Sequence, residues 1–172
     1  MTDSPVAAPP ALFRAPMRSR DARIPDDGAA VERALAIGVV GMGGAVPPAP
    51  TSGEAAVAML ATAGDERAAR RLHRFVDTPD GARVVTRDAR GRVHLGRLDG
   101  AYRYDDSHAA HAVDLVHVRP CRWLPEPLDD ADVPAAVHQT FARGGLNWQR
   151  VRDDRATALA DERERQGSRV RG

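Results

Sequence analysis

The apolar pattern of this 172-residue chain changes period at Pro79-Asp80-Gly81, and that change limits the folds open to it. Before the turn, hydrophobic residues recur at helical spacing; after it they alternate in short runs divided by turn residues. Upstream, Asp26-Asp27-Gly28 precedes 29–37, where Val31, Ala34 and Leu35 repeat behind an acidic start and Gly38 supplies a terminating glycine. Residues 51–63 and 65–77 predict two more helices. The second sends Ala68, Leu72, Phe75 and Val76 to a core and Arg67, Arg70, Arg71 and Arg74 outward. Downstream, 82–87 and 93–98 predict an antiparallel hairpin joined through Asp88 to Gly91, and 101–104 a short strand after Asp99-Gly100. A strand over 113–118 is ended or kinked by Arg119-Pro120 and continued by 122–124. Pro134 opens a short helix to Phe141, and 147–151 predicts a last strand. With 11–14 as a first strand and 39–42 as a buried one, the chain predicts an α+β fold, a small, partly open antiparallel β-barrel flanked by helices. The domain is expected at 11–151, after a Pro- and Ala-rich disordered tail at 1–10 and before a charged tail or frayed helix at 152–172.

The length suits one domain with a modest core. Net charge is +1, so any affinity for nucleic acid must come from local patches. All 25 basic residues are arginine, whose forked donors suit phosphates and base edges. They are unevenly placed: 67–103 holds ten arginines against four aspartates, whereas 104–135 holds two against seven acids. Four arginines, Arg87, Arg90, Arg92 and Arg97, surround the predicted hairpin, either as a phosphate-facing surface or as a solvated arginine-rich face. The single cysteine, Cys121, rules out an intrachain disulfide and a Cys-x-x-Cys metal site. Thr2 to Pro10 lacks a basic start and an apolar run, and no 18-residue apolar stretch occurs. A cytoplasmic protein without membrane association is expected.

The stretch GVVGMGG, 38–44, resembles a phosphate cradle but lacks the rest of one. No Gly-Lys-Ser/Thr follows, no G-x-G-x-x-G is completed, and prolines at 47, 48 and 50 prevent an immediate helix N-terminus. The glycines then serve close approach of a ligand or of neighbouring backbone, with Met42 as a soft apolar contact. A rival reading is chemical. His108, His111, Asp114 and His117 recur every three residues, all of types that bind transition metals, so a metal-dependent enzyme at His108, His111 and His117 is one alternative. If 113–118 is a strand, however, Asp114 and His117 fall on opposite faces. With no lysine in the chain, a D…E-x-K nuclease arrangement cannot exist, and Cys121 reads as a buried thiol in a strand. A protein-interaction or structural module is a further alternative.

The run GARVVTRDARGRVHLGRLDGAYRYDDSHAAHAVDLVHVRPCRWL, followed by VPAAVHQTF and LNWQRV, resembles the N-terminal domain of Mrr-type modification-dependent restriction proteins. That domain belongs with the EVE, ASCH, YTH and SRA modules of the PUA-like superfamily. Its members carry a "GDLVWTRD" strand, a "yyLGRVtGpYrY" hairpin, a "hvRPVrWl" strand and a late "VP" helix before an "lqRI" strand. The match covers about 31–151, in order and spacing. The resemblance implies a PUA-like fold and a non-catalytic reader of DNA or RNA that accepts an extruded modified base, acting alone or through an effector protein, with no cofactor.

The implied site joins Met42, Gly43 and Gly44 with Thr86 and Arg87 of one strand, Arg97, the tyrosines Tyr102 and Tyr104, and the loop residues Asn147 and Trp148. Thr86 and Asn147 would test base edges, and Arg87 and Arg97 would hold phosphate or a carbonyl. Where the family has a "GIGW" segment this chain has GMGG, so Gly44 replaces a stacking tryptophan, which leaves the pocket widened, filled by another side chain such as Trp148, or lost. Tyr102 and Tyr104, two apart, would stack on bases or roof the barrel, and Trp123 would pack at the core or its rim. The whole reading requires a hollow that admits one nucleobase, neither plugged by side chains nor walled by acids.

Overall fold

A computed structural model of the chain describes residues 9–145 and 148–169. These form a mixed α+β fold: one curled, open half-barrel sheet of seven strands with six α-helices around it. In chain order the strands are β1 (Leu12–Arg14), β2 (Val39–Met42), β3 (Arg83–Arg87), β4 (Val93–Leu98), β5 (Arg103–Tyr104), β6 (His117–Trp123) and β7 (Gln149–Val151). The helices are α1 (Ala29–Ile37), α2 (Gly53–Thr62), α3 (Glu66–Val76), α4 (His108–Ala112), α5 (Ala135–Ala142) and α6 (Asp154–Arg169). The sheet order is β2-β6-β4-β3-β1-β7, with β5 also on β6; every pairing is antiparallel except β1 with β3.

Local chemistry sets the boundaries. Gly38 ends α1 in the left-handed conformation, φ 68°, which returns the chain at once into β2. The Ser52 and Asp65 side chains cap α2 and α3 by accepting from the Ala55 and Ala68 backbone N–H groups. Asp88 closes the β3–β4 hairpin by accepting from the Arg90 and Arg92 N–H groups, both at 2.9 Å.

Alternation along the strands divides the core in two. Val84, Leu98 and Val118 face Val31, Ala34, Leu72 and Phe75, whereas Val85, Val93 and Leu95 face Val133, Val137, Ala156 and Ala160. Helices α1 and α3 thus cover one face, and α5 and α6 the other. Of the charged tail or frayed helix expected from Arg152, the structure has a helix over Asp154–Arg169 that docks: α6 buries Ala156 and Ala160, and the buried Arg83 guanidinium pairs with its Asp161 (3.3 Å) and Glu164. Among the described residues no helix is long and apolar enough to cross a membrane.

Several expectations are corrected here. The stretch 113–118 is not one strand: 108–112 is the short helix α4, and β6 begins only at His117. Nor does Arg119-Pro120 end it, because β6 runs on to Trp123. The Pro120 carbonyl accepts from Asp99 N–H, while the neighbouring Cys121 N–H bonds Gly38. Arg119, 4% exposed, donates to the carbonyls of Phe75, Thr78 and Gly100 and to Asp80, tying the C-terminal end of α3 to the sheet. On α3 the buried residues are Ala69, Leu72 and Phe75, so Ala68 is free to face elsewhere. The expected tail at 1–10 lies, apart from Pro9 and Pro10, outside the described residues.

Candidate functional site

The GMGG segment forms one wall of an open cavity of about 710 Å³. That volume lies within the roughly 300–1,000 Å³ of small-molecule sites. Met42 to Ala45 from the end of β2 meet three other elements there: the 18–24 loop, the α2–α3 hairpin through Leu60, Ala68, Arg71 and Leu72, and the α4–β6 junction through His111, Asp114 and His117. The cavity is not plugged. Its charged lining is mixed, with Arg18, Arg20, Arg23 and Arg71 against Asp21, Asp65 and Asp114.

Each glycine has its own reason. A Cβ on Gly41 would lie 2.3 Å from the His117 carbonyl oxygen across the β2–β6 pairing, and one on Gly43 would lie 2.1 Å from the Asp114 carboxylate. These two bring neighbouring groups close. Gly44 differs: its φ is 104°, and a Cβ there would meet nothing within 4 Å, so at this point bare backbone faces open space.

Asp114 holds the loop from the opposite wall. It accepts from Gly44 N–H at 2.8 Å and from the Ser19 hydroxyl, and its own backbone is left-handed, φ 49°. Because it precedes β6 rather than lying in it, strand alternation does not apply, and Asp114 and His117 line the same cavity. His117, 1% exposed, is fixed at both nitrogens. Nε2 donates to the Gly44 carbonyl at 2.8 Å, so Nδ1 of the neutral ring accepts from the Tyr102 hydroxyl, also at 2.8 Å. Burial pushes the His117 pKa down, against the Gly44 hydrogen bond and the Asp114 charge, and it raises both tyrosines. Tyr104 accepts from Val46 N–H at 3.1 Å and packs edge-on against His117, ring centres 5.3 Å apart. Both tyrosines therefore brace the loop from behind instead of lining the cavity.

Among the expected site residues, then, Met42, Gly43 and Gly44 line the cavity, and Tyr102 and Tyr104 support it. Thr86 does not reach it: fully buried, its hydroxyl donates to the Ala15 carbonyl at 2.7 Å. Trp148 is no ligand wall. It is 4% exposed, stacked on Phe13 at 5.0 Å and edge-on to Phe75 at 5.1 Å, with Nε1–H donating to Thr78 Oγ1. Trp123 packs against the same core and donates to the Val39 carbonyl. Arg97 is paired with Glu164 at 2.9 Å, and the exposed Arg87 lines a second cavity of about 740 Å³ beyond the 18–24 loop. Asn147 lies outside the described residues.

The histidines do not converge. His108 is exposed, His111 bonds Asp106 at 2.8 Å, and His117 is held as above; among the described residues no three His, Cys, Asp or Glu side chains are placed to hold a metal ion. Sequence reasoning missed Arg20 and Ile24 of the lining and Ser19, which holds Asp114, all on a loop with no periodicity to mark it, and Arg71, which helical spacing alone sent to solvent. No family model and no curated protein matches the chain.

Proposed function

We propose that the chain is a PUA-like reader that binds nucleic acid and admits one extruded base, modified or not, into the GMGG cavity, without catalysis of its own. The observation that carries this reading is the open backbone at Gly44, set in a hollow with apolar walls from Met42, Ile24, Leu60 and Leu72 and arginines among its lining. A flat ring needs close main-chain approach, apolar faces and polar edges, and the hollow has all three. No tryptophan, tyrosine or phenylalanine is among its described lining, so the faces of the base would rest on Met42, the His111 imidazole or an arginine plane. The Asp114 carboxylate has acceptor capacity left after its two hydrogen bonds. It favours a base with an exocyclic amino group, cytosine, adenine or guanine, over thymine or uracil. The shared order of the hairpin, RPCRW strand and late helix supports the PUA-like assignment.

The test is a plug. Ala68 is half-buried in the cavity wall on α3, so Ala68→Trp fills the hollow while leaving the sheet untouched. Fluorescence anisotropy on matched oligonucleotides, with cytosine, 5-substituted cytosine, adenine, N6-substituted adenine or thymine at one unpaired position, should show discrimination of about tenfold by the unaltered protein. Ala68→Trp should abolish the discrimination and retain salt-sensitive bulk binding. Discrimination that survives the plug sinks the pocket assignment, and no binding to any oligonucleotide at low salt sinks the reading.

A further inference from the structure

We propose that the solvent face of α3, with Arg67, Arg71 and Arg74, carries the phosphodiester backbone of the nucleotides flanking the captured base, in place of the arginine-rich β3–β4 hairpin. The inference rests on the reader function above and adds to it the path of the strand.

Three observations converge. The first is placement: residues 67, 71 and 74 recur at four and three, so they share one stripe of the helix. Arg71 stands on the cavity wall between Ala68 and Leu72, with Arg67 and Arg74 a turn to either side. At about 1.5 Å per residue the stripe is roughly 10 Å long, the span of about three successive phosphates along one strand of a duplex.

The second is the state of Arg71. It is half-buried in the cavity wall, yet among the described residues it has no hydrogen-bond or ion-pair partner. A guanidinium presents five N–H donors, and those of Arg71, open to solvent and engaged by no protein acceptor among the described residues, are available to a ligand. Desolvation, then the like charge of Arg20 across the cavity mouth, push its pKa down; Asp65 opposes them, and Arg74 and Arg67 add to the repulsion. The like charges of Arg20, Arg67 and Arg74 bear on Arg71 from the cavity and from its own helix, and an anion beside it would relieve that repulsion.

The third is the contrast with the hairpin. There Arg97 is paired with Glu164 at 2.9 Å, Arg92 with Asp88 at 2.8 Å and Arg83 with Asp161 and Glu164. Arg87 and Arg90 have no ion pair among the described residues, but Arg87 lines the second cavity, which does not include GMGG. A phosphate would have to displace protein carboxylates at the paired positions, whereas among the described residues Arg70 is the only α3 arginine within ion-pair distance of an acid, Glu66 at 3.9 Å on the open surface.

The experiment compares salt slopes. Log Kd for a labelled oligonucleotide is measured against log salt for the full chain, for Arg67→Gln, Arg71→Gln and Arg74→Gln singly and together, and for the carboxylate-paired hairpin residues as Arg92→Gln/Arg97→Gln. Each α3 change should reduce the slope by about 1, and the triple by two to three, while the hairpin pair moves it by well under 1. Arg67 and Arg74 are exposed, so their variants fold regardless. A triple variant that keeps its slope while the parent binds overturns the α3 path and leaves the reader standing. A nucleoside monophosphate that competes as well as an oligonucleotide of equal phosphate concentration also overturns it, since one phosphate would then suffice. If the parent binds no oligonucleotide at low salt, path and reader fall together.

Discussion

Gly43→Ala isolates the packing that keeps the cavity open. The backbone at Gly43 has an ordinary φ, so the substitution costs nothing in conformation. The new methyl, however, would sit 2.1 Å from Asp114 Oδ2, 2.3 Å from its Cγ and 2.6 Å from its backbone oxygen. Rotating the carboxylate away cannot cure the last contact, so the α4–β6 junction must retreat by more than about 1 Å to reach ordinary contact distance. Retreat breaks the two hydrogen bonds that join the walls, Gly44 N–H and Ser19 O–H to Asp114. Hydrogen bonds to a charged group contribute about 1.5–3 kcal/mol each when buried. Asp114 is only half-buried, which brings the pair to about 3 kcal/mol, and the stiffer unfolded chain of the alanine variant returns about 0.5 kcal/mol. The expected loss is therefore about 2–3 kcal/mol, a fall of about 1–1.5 M in the urea midpoint for a slope near 2 kcal/mol per M. Gly44→Ala is the internal control. Nothing crowds that position, so only its left-handed backbone resists, at about 1–2 kcal/mol. Urea unfolding followed by tryptophan fluorescence reports both, because Trp148 lies in the core. A Gly43→Ala midpoint equal to the parent's, or a larger effect at Gly44, would refute the account of the clamp.

Two further outcomes follow from buried groups. The folded His117 has its pKa below the ordinary value of 6.5, so the unfolded chain binds that proton more readily. The stability it contributes is whole above about 6.5 and is lost as pH falls from there through the folded value; urea midpoints taken from about pH 8 to 5 should drop, and His117→Gln should flatten that part of the profile. Arg83→Met leaves Asp161 and Glu164 without their buried cation and should cost about 2–4 kcal/mol. Amide exchange in α6 should rise first, and uniform loosening across the sheet would contradict α6 docking through this pair.

Sequence made the helices and the hairpin legible because each carries its own punctuation: Gly38 after α1, Asp65 before α3, Asp88 to Gly91 between β3 and β4. It left α6 as a frayed helix or a charged tail, because among the described residues Ala156 and Ala160 are the ones that reach the core, and small residues leave almost no hydrophobic signal among so many charges. The strand over 113–118 was misjudged for a related reason. Val113, Leu115 and Val116 are apolar because they pack, but a left-handed residue at Asp114 interrupts them, and a single φ cannot be read from composition. Trp148 shows the limit of inferring exposure from a neighbouring glycine pair: Gly144 and Gly145 turn the chain back, and the indole follows it inward onto Phe13.

Charge shows the same limit most clearly. A count along the chain gives the β3–β4 region and α3 equal standing, since ten arginines lie over 67–103. What separates them is the partner each finds in three dimensions. Asp161 and Glu164, more than sixty positions downstream, fold back onto Arg83 and Arg97, whereas on α3 Arg71 reaches the cavity wall with Asp65 opposing it but not paired to it. An arginine's availability for a ligand is set by the nearest carboxylate in space, and that distance is a property of the fold. Arg83 and Arg97 thus hold α6, and the cations of α3 remain for an anion, although both sets arose from the same compositional bias.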